Sequence, residues 1–317
     1  MADRSYAIIG AGALGAFYGA KLQQAGFDLH FLAHSDYHHI VKHGLKIIST
    51  EGDIVLPKVN VYADAGTMPR CDVALVALKT TQNHLLAEIL PRVLSEDGVA
   101  LIFQNGLGLE EEIAGIVGVN RRVMGGLCFI RSNKIGPGLL KHTGSGYIIL
   151  GEHMPQAGDR EQISPQCSAI ADDFRAAGLI VKPTTNLQVA RWQKLVWNIP
   201  YNGLSVLLNA QTDRIMQNPA MRSLVLTLMR EVESAAAACG QAIPPTFVQE
   251  MFDYTERMEP YTTSMKLDFD HNRPMEIEAI YGNPLRAGKA AGASMPCVEM
   301  LYQQLKFLDE KRIGQNT

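Results

Sequence analysis

The chain has 317 residues. A single hydrophobic core rarely supports a domain of that size, so the length predicts two domains. Hydrophobic residues make up 47% and charged residues 19% of the chain, as in an ordinary soluble globular protein. The net charge of −3 provides no basic excess for nucleic-acid phosphates, and no apolar run reaches the ~20 residues of a membrane span. We therefore expect neither a nucleic-acid partner nor a membrane partner.

The cysteines predict a reducing compartment. They are five in number, and no two have the spacing of a metal site or a redox motif. The apolar run at Tyr6–Ile9 stops at Gly10, which is too early for the core of a signal peptide. We expect a cytoplasmic protein with reduced thiols and no bound metal.

The first 32 residues predict one βαβ unit. Residues 5–9 form a short apolar run typical of a buried strand, residues 13–25 favour a helix that ends before Gly26, and residues 28–32 favour a second strand. Such units nearly always have parallel strands and a right-handed crossover.

The alternation of strands and helices continues to about residue 181. The predicted strands cover 73–78, 99–103, 122–130 and 179–181, and the predicted helices cover 83–94, with a kink at Pro91, and 160–177. Residues 138–151 favour a hairpin around the sequence Thr143-Gly144-Ser145-Gly146. The whole pattern predicts an α/β domain with a doubly wound parallel sheet of the Rossmann type.

Beyond residue 186 the pattern is helical throughout. Helices are predicted over 187–208, 219–239, 245–257 and 297–311. The sequence therefore predicts a Rossmann domain over residues 1–185 and an all-helical domain over residues 186–317.

A glycine-rich loop between the first strand and the first helix indicates a dinucleotide site. Its residues are Gly10, Ala11, Gly12, Ala13, Leu14 and Gly15. In this motif the first glycine permits a tight turn, the second lets backbone approach a pyrophosphate, and the third lets the helix pack on the strand. The amide groups at the helix N-terminus then face the phosphates. The alternative is a tight strand-to-helix turn without a ligand.

The end of the second predicted strand favours NADP over NAD. An NAD site usually has an acidic residue at this strand end, where it binds the ribose hydroxyls. In this chain the nearest acidic residue, Asp36, lies a little beyond the strand end. His34, Ser35 and the histidines that follow could instead meet a 2′-phosphate, or they could form a solvated turn. A metal site from these histidines is disfavoured, because no carboxylate or thiolate obviously joins them.

Three polar residues lie four apart on an otherwise apolar predicted helix. Lys194, Asn198 and Asn202 should share one helix face, although Pro200 makes the alignment of Asn202 uncertain. Buried polar groups need partners or a wet cleft, so the face is a candidate site. The alternative is a lysine that reaches solvent and amides that bond to backbone. Glu276, by itself, is an ordinary acid near the start of a helix.

Taken together, these residues resemble the ketopantoate reductase family over nearly the whole chain. The resemblance rests on the following segments in order: the glycine loop at 10–15, Val76-Ala77-Leu78-Lys79-Thr80, Gln104-Asn105-Gly106-Leu107-Gly108, residues 142–152, the Lys194/Asn198/Asn202 set, and residues 264–276. It implies a Rossmann domain and a helical domain like that of 6-phosphogluconate dehydrogenase. It also implies the NADPH-dependent reduction of a 2-oxo acid, ketopantoate, to pantoate, a step toward pantothenate and coenzyme A.

The resemblance further implies a role for each matching residue. Lys194 falls on the catalytic lysine and Glu276 on its paired acid. Asn198, Asn202 and Ser264 fall on substrate-binding positions. Asn105 falls on a residue near the nicotinamide and the substrate, and Lys79 and His34 fall on cofactor-contacting positions.

Two departures from the family pattern leave alternatives open. Many members have arginine where this chain has His34, and a pocket asparagine of the type member aligns with Thr212. A related reductase for another 2-oxo acid is therefore an alternative, and a non-catalytic NADP(H)-binding sensor is a remote one. The helices rich in alanine and methionine could form a homodimer interface or pack internally.

Overall fold

The computed structural model describes residues 4–144, 146–153 and 162–314. Contacts between Cα atoms divide the chain into two units. The N-terminal unit comprises residues 1–104 and 109–187, and the C-terminal unit comprises residues 105–108 and 188–317. The division near residue 187 lies close to the predicted boundary, but the transfer of residues 105–108 to the C-terminal unit is absent from the sequence prediction.

All twelve strands that the structure describes belong to the N-terminal unit. They are β1 (Ser5–Ile9), β2 (Asp28–Leu32), β3 (Leu45–Ser49), β4 (Ile54–Leu56), β5 (Asn60–Tyr62), β6 (Cys71–Val76), β7 (Leu94–Ile102), β8 (Arg122–Cys128), β9 (Arg131–Gly136), β10 (Leu139–Gly144), β11 (Ile148–Glu152) and β12 (Val181–Thr184). Its helices are α1 (Ala13–Gln24), α2 (Tyr37–His43), α3 (Leu86–Val93), α4 (Leu109–Val117) and α5 (Pro165–Ala176). Pro91 lies inside α3 without ending it.

The main sheet has eight strands in the order β12-β11-β8-β7-β6-β1-β2-β5. Every neighbouring pair is parallel except β8 and β11, which are antiparallel. Its central strands β6 and β7 are mostly apolar, and residues 73–76 and 98–102 of these strands are all buried, as is usual for strands covered on both faces. The predicted Rossmann-type unit is therefore confirmed.

A second sheet of four strands, in the order β4-β3-β10-β9, is a feature that the sequence analysis missed. The predicted hairpin over residues 138–151 is wrong for the same reason. β10 pairs with β3 and β9 in the second sheet, whereas β11 pairs with β8 and β12 in the main sheet. Residue 145 of the predicted turn lies outside the described residues, as do residues 160 and 161 of the predicted helix.

His142 is a buried histidine of the second sheet. It is 1% exposed, its ring centroid lies 4.6 Å from that of Phe17 in α1, and its Nδ1 lies 2.8 Å from Ser49 Oγ. Among the described residues, its Nε2 has no hydrogen-bond partner. Burial, the largest influence, lowers the pKa of His142.

This lowered pKa predicts a loss of stability in acid. The unfolded chain binds a proton at a pKa of about 6.5. The contribution of neutral His142 is therefore complete above that pH and is lost as the pH falls toward the folded pKa. We expect the His142→Asn variant, which can keep a bond to Ser49, to show a shallower decline of unfolding free energy between pH 7 and pH 5. Urea unfolding at several pH values measures this, and parallel declines would contradict it.

The described helices of the C-terminal unit form an all-helical fold. They are α6 (Leu187–Leu207), α7 (Thr212–Gln217), α8 (Pro219–Ala238), α9 (Phe247–Arg257), α10 (Ser264–Asp270), α11 (Asn283–Ala290) and α12 (Pro296–Gly314). A π-helical segment, Glu278–Gly282, runs directly into α11. The apolar core gathers buried side chains from all of these helices except α11, whose Leu285 and Ala287 pack against it while partly buried. The predicted helical domain is confirmed.

Candidate active site

The glycine loop lies between β1 and α1, as the sequence predicts. Gly10 has a φ of +99°, a value that favours glycine, and a Cβ there would lie 2.8 Å from the backbone nitrogen of Leu78. A Cβ at Gly15 would lie 2.1 Å from the carbonyl oxygen of Gly10 and 3.0 Å from Ile8. Gly10 and Gly15 are therefore required by the fold of the loop itself.

Gly12 differs, because the protein does not require a glycine there. Its φ is −82°, and a Cβ would meet no protein atom within 4 Å. It is the N-cap residue of α1, makes no side-chain cap, and is followed by no acidic residue in the first turn. Open space therefore lies beside Gly12 at the start of α1, where the free backbone amides of a helix N-terminus can bind a phosphate group. These residues fit a dinucleotide pyrophosphate.

The turn after β2 places His34 and Ser35 on the surface and Asp36 in the interior. Asp36 is 5% exposed. Its Oδ1 lies 2.5 Å from Lys134 Nζ, and its Oδ2 accepts a hydrogen bond of 3.0 Å from the Gly138 amide. Burial alone would raise the pKa of Asp36, but these contacts and the Ser35 hydroxyl outweigh it and lower the pKa. Asp36 is therefore an ionised structural residue committed to the β9–β10 turn.

A buried polar network joins the chain segments that follow β6 and β7. Gln104 Nε2 donates to the Leu78 carbonyl at 2.9 Å and to Asn83 Oδ1 at 2.7 Å. Asn83 in turn donates to Glu112 of α4 at 3.0 Å. Lys79 follows Leu78 and is exposed. The network fixes the backbone that carries Lys79, a function that sequence analysis did not assign to Gln104 or Asn83.

α6 carries Lys194, Asn198 and Asn202 on one face, four residues apart. Lys194 is half-buried, whereas Asn198 and Asn202 are 7% and 2% exposed. Pro200 lies inside the helix and does not end it. A half-buried ammonium with two buried amides along one face can donate hydrogen bonds to an anionic or carbonyl oxygen.

The N-terminus of α10 is tied to α6 by two buried hydroxyls. Ser205 Oγ donates to the Asn202 carbonyl at 3.0 Å and lies 2.7 Å from Thr263 Oγ1. Thr263 caps α10 by accepting from the Lys266 amide, and Ser264 is the first residue of that helix. The structure therefore fixes the backbone of Ser264 relative to that of Asn202.

Thr212 has a structural partner in the same unit. Its hydroxyl accepts a hydrogen bond of 3.1 Å from the Tyr261 amide, and its amide donates to the Tyr261 carbonyl at 3.2 Å. Thr212 is fully buried. Its hydroxyl thus braces the chain ahead of α10, and sequence analysis had not anticipated this function.

Glu276 is 5% exposed and lies two residues before the π-helical segment, not within a helix. The Ile280 amide donates to its carbonyl oxygen at 3.2 Å. π-Helical turns occur frequently at functional sites, since the extra residue changes the direction of neighbouring side chains.

Within the described ranges, no group of three or more His, Cys, Asp or Glu side chains is arranged to hold a metal ion. Each of the five cysteines lies in the described ranges and is a thiol rather than half of a disulfide. No helix within those ranges is both long enough and apolar enough to cross a membrane.

The chain combines a Rossmann-type unit that has an open glycine loop with a helical unit that carries a lysine–amide face (Lys194, Asn198 and Asn202). This combination defines the class of NAD(P)-dependent oxidoreductases. Two family models match, "Ketopantoate reductase PanE/ApbA" over residues 6–155 and its C-terminal counterpart over residues 186–309. The chain belongs to the ketopantoate reductase family.

Individual relatives agree with this assignment. The chain is 51% identical to a 2-dehydropantoate 2-reductase of Nostoc sp. over all of this chain and 99% of the relative. It also matches the crystal structure of a 2-dehydropantoate 2-reductase from Geobacter metallireducens, with 41% identity, a TM-score of 0.89, and coverage of 97% of this chain and 99% of the other.

One more distant neighbour shares the fold. D-mandelate dehydrogenase, solved with NADH and anilino(oxo)acetate, matches with a TM-score of 0.85 and 23% identity, over 97% of this chain and 99% of the other.

Proposed function

We propose that this protein reduces 2-dehydropantoate (ketopantoate) to pantoate with NADPH, as a step of pantothenate and coenzyme A synthesis. The single observation that carries the proposal is the 51% identity to a 2-dehydropantoate 2-reductase over the full chain. The open space at Gly12 and the Lys194/Asn198/Asn202 face support it, because the reaction needs a dinucleotide site and donors for a 2-oxo acid.

In the proposed reaction, several residues of this chain hold the cofactor. Residues 10–15 receive the pyrophosphate, and His34, Lys79 and Asn105 contact other parts of the dinucleotide. The bound cofactor supplies the hydride. This chain's own residues bind the substrate, neutralise charge and deliver a proton.

Lys194 is the proposed acid. When the ketone carbon accepts hydride, its oxygen becomes an alkoxide, and the Lys194 ammonium stabilises that charge and donates a proton to the oxygen. Glu276 orients Lys194 or accepts a hydrogen bond from a substrate hydroxyl. Asn105, Asn198, Asn202 and Ser264 bind the substrate carboxylate and hydroxyl.

The state of Asp36 supports NADPH as the cofactor. An NAD site needs a carboxylate available to the ribose hydroxyls, but Asp36 is buried against Lys134 and the Gly138 amide. Exposed His34 and Ser35 lie immediately before it, and Lys134 of β9 reaches the same turn through its ion pair with Asp36. This surface suits a 2′-phosphate better than two hydroxyl groups.

A panel assay tests the proposal. NADPH and NADH are each mixed with ketopantoate and with other 2-oxo acids of different size, and the loss of the reduced nicotinamide absorbance is followed. We expect the highest kcat/KM for ketopantoate with NADPH. A higher value for another 2-oxo acid would assign the chain to a related reductase, and turnover of no acid despite NADPH binding would favour a sensor.

We also propose that the enzyme is cytoplasmic and forms a homodimer. The five cysteine thiols support the location, because a reducing compartment maintains thiols. Light scattering after gel filtration tests the dimer, and a mass near that of one 34.7 kDa chain would contradict it.

A further inference from the structure

The loop that carries Asn105 is fixed at Leu107, whose backbone amide and backbone carbonyl both form hydrogen bonds. Its amide donates to the Ala279 carbonyl at 3.0 Å, and its carbonyl accepts from Asn283 Nδ2 at 2.7 Å. Gly106 has a φ of +129°, and a Cβ there would lie 2.6 Å from the Ala279 carbonyl oxygen. Ala279 belongs to the π-helical segment and Asn283 begins α11, so the loop lies directly on this part of the C-terminal unit.

The orientation of the Asn283 amide is fixed by a chain of charged partners. Its Oδ1 accepts a hydrogen bond of 2.5 Å from Arg286, whose guanidinium also donates to Glu278 Oε2 at 2.9 Å. Tyr302 donates to the other Glu278 oxygen at 2.5 Å. Because arginine has no acceptor, Asn283 must present its oxygen to Arg286 and its NH₂ group to Leu107.

Glu278 remains an anion at the end of this chain. Burial alone would raise the pKa of Glu278, but the hydrogen bonds from Tyr302 and Arg286 and the nearby positive charge lower it. The charge keeps Arg286 in place, and Arg286 keeps Asn283 in place.

The same π-helical segment also contacts the helix of the lysine–amide face. Tyr281 donates to the Ile199 carbonyl of α6 at 2.8 Å, one residue beyond Asn198. Burial raises the pKa of Tyr281 well above its usual value, so the hydroxyl remains a donor. Glu276 lies two residues before the segment. The elements that carry Asn105, Asn198 and Glu276 are therefore fixed to one short stretch of chain.

We propose that Asn283 is a positioning residue for the reduction, which fixes Leu107 and thereby the Asn105 side chain two residues earlier. The inference rests on the proposed role of Asn105 at the cofactor and substrate. Asn283 does not need to touch either ligand. It holds Asn105 in the geometry for reaction, where an error of about 1 Å can cost about 100-fold in rate.

The Asn283→Asp variant tests this with little change in shape. Aspartate keeps the oxygen that accepts from Arg286. In place of the Asn283 NH₂ group, which donates to the Leu107 carbonyl, it puts a second oxygen that repels that carbonyl. We expect kcat to fall about 10- to 100-fold, with a smaller change in the KM for NADPH, since residues 10–15, His34 and Lys79 are unaltered. The deuterium isotope effect on kcat with 4-deuterated NADPH should rise as hydride transfer becomes slower. Lys289→Ala, an exposed change on the same helix, is the matched control and should behave as wild type.

A double-mutant cycle separates positioning from general damage. If Asn283 acts through Asn105, the Asn105→Ala/Asn283→Asp double variant should be no slower than Asn105→Ala alone. Unchanged kcat in Asn283→Asp, or losses that simply multiply, would overturn the inference. A fully active Asn105→Ala variant would instead refute the proposed role of Asn105 itself.

A second substitution keeps the test decisive if Asn283→Asp does not fold. Arg286→Met, at an exposed position, removes the donor that orients Asn283 and leaves the Leu107 contact available. We expect a smaller fall in kcat, of about three- to tenfold, with the same non-additivity toward Asn105→Ala. Full activity in this variant would contradict the inference.

Discussion

The Lys194→Met variant is expected to lose about 10³-fold in kcat, because it removes both the charge and the proton that the alkoxide needs. Methionine retains the length and much of the apolar stem of lysine, so α6 should keep its packing. The KM for NADPH should change little, since the proposed cofactor loop lies in the N-terminal unit. Single-turnover mixing of enzyme, NADPH and ketopantoate measures the loss in the reduction step.

Two comparisons make this result interpretable. Lys289→Met removes an exposed lysine of the same unit and should retain full activity. Lys194→Ala leaves room for a small primary amine, so added methylamine should restore part of the rate if an ammonium is what the site lacks. A Lys194→Met enzyme with more than a third of the wild-type rate would remove Lys194 from its assigned role.

The Gly12→Val variant is expected to fold normally but bind NADPH at least ~100-fold more weakly. Its φ of −82° is accessible to valine, and the added side chain starts in open space rather than against protein atoms. The same side chain would occupy the region proposed for the pyrophosphate. Fluorescence titration with NADPH measures the affinity, and thermal unfolding measures the fold.

Gly15→Val provides the matched contrast. Its Cβ would lie 2.1 Å from the Gly10 carbonyl, so this variant should lose stability before any effect on the cofactor can be measured. If Gly12→Val binds NADPH as wild type does, the pyrophosphate does not lie at this loop. If both variants unfold alike, the distinction between the two glycines fails.

Local sequence signals predicted the N-terminal βαβ unit well, because every part of it is encoded within about 30 residues. β1, α1 and β2 have nearly the predicted bounds, and Gly10 has the predicted tight-turn conformation. The four-residue spacing of Lys194, Asn198 and Asn202 likewise placed these residues on one face of α6. Periodicity is informative at this range, since a helix repeats every 3.6 residues.

Features that depend on distant contacts were not predictable in this way. β10 pairs with β3, almost 100 residues earlier, and a glycine-containing turn pattern therefore suggested a hairpin with β11 that does not exist. Asn283 belongs to none of the patterns that the sequence analysis singled out. Its importance arises only where the 105–108 loop joins the C-terminal unit, next to a π-helical turn that propensities do not encode.

Transfer of deuterium tests the central claim most directly. The enzyme is mixed with ketopantoate and NADPH carrying deuterium at both C4 positions, and the product is analysed by mass spectrometry. We expect pantoate that is one mass unit heavier, with the label on the carbon that bears the new hydroxyl. Unlabelled pantoate, or no hydroxy acid from an enzyme that binds NADPH, would contradict it.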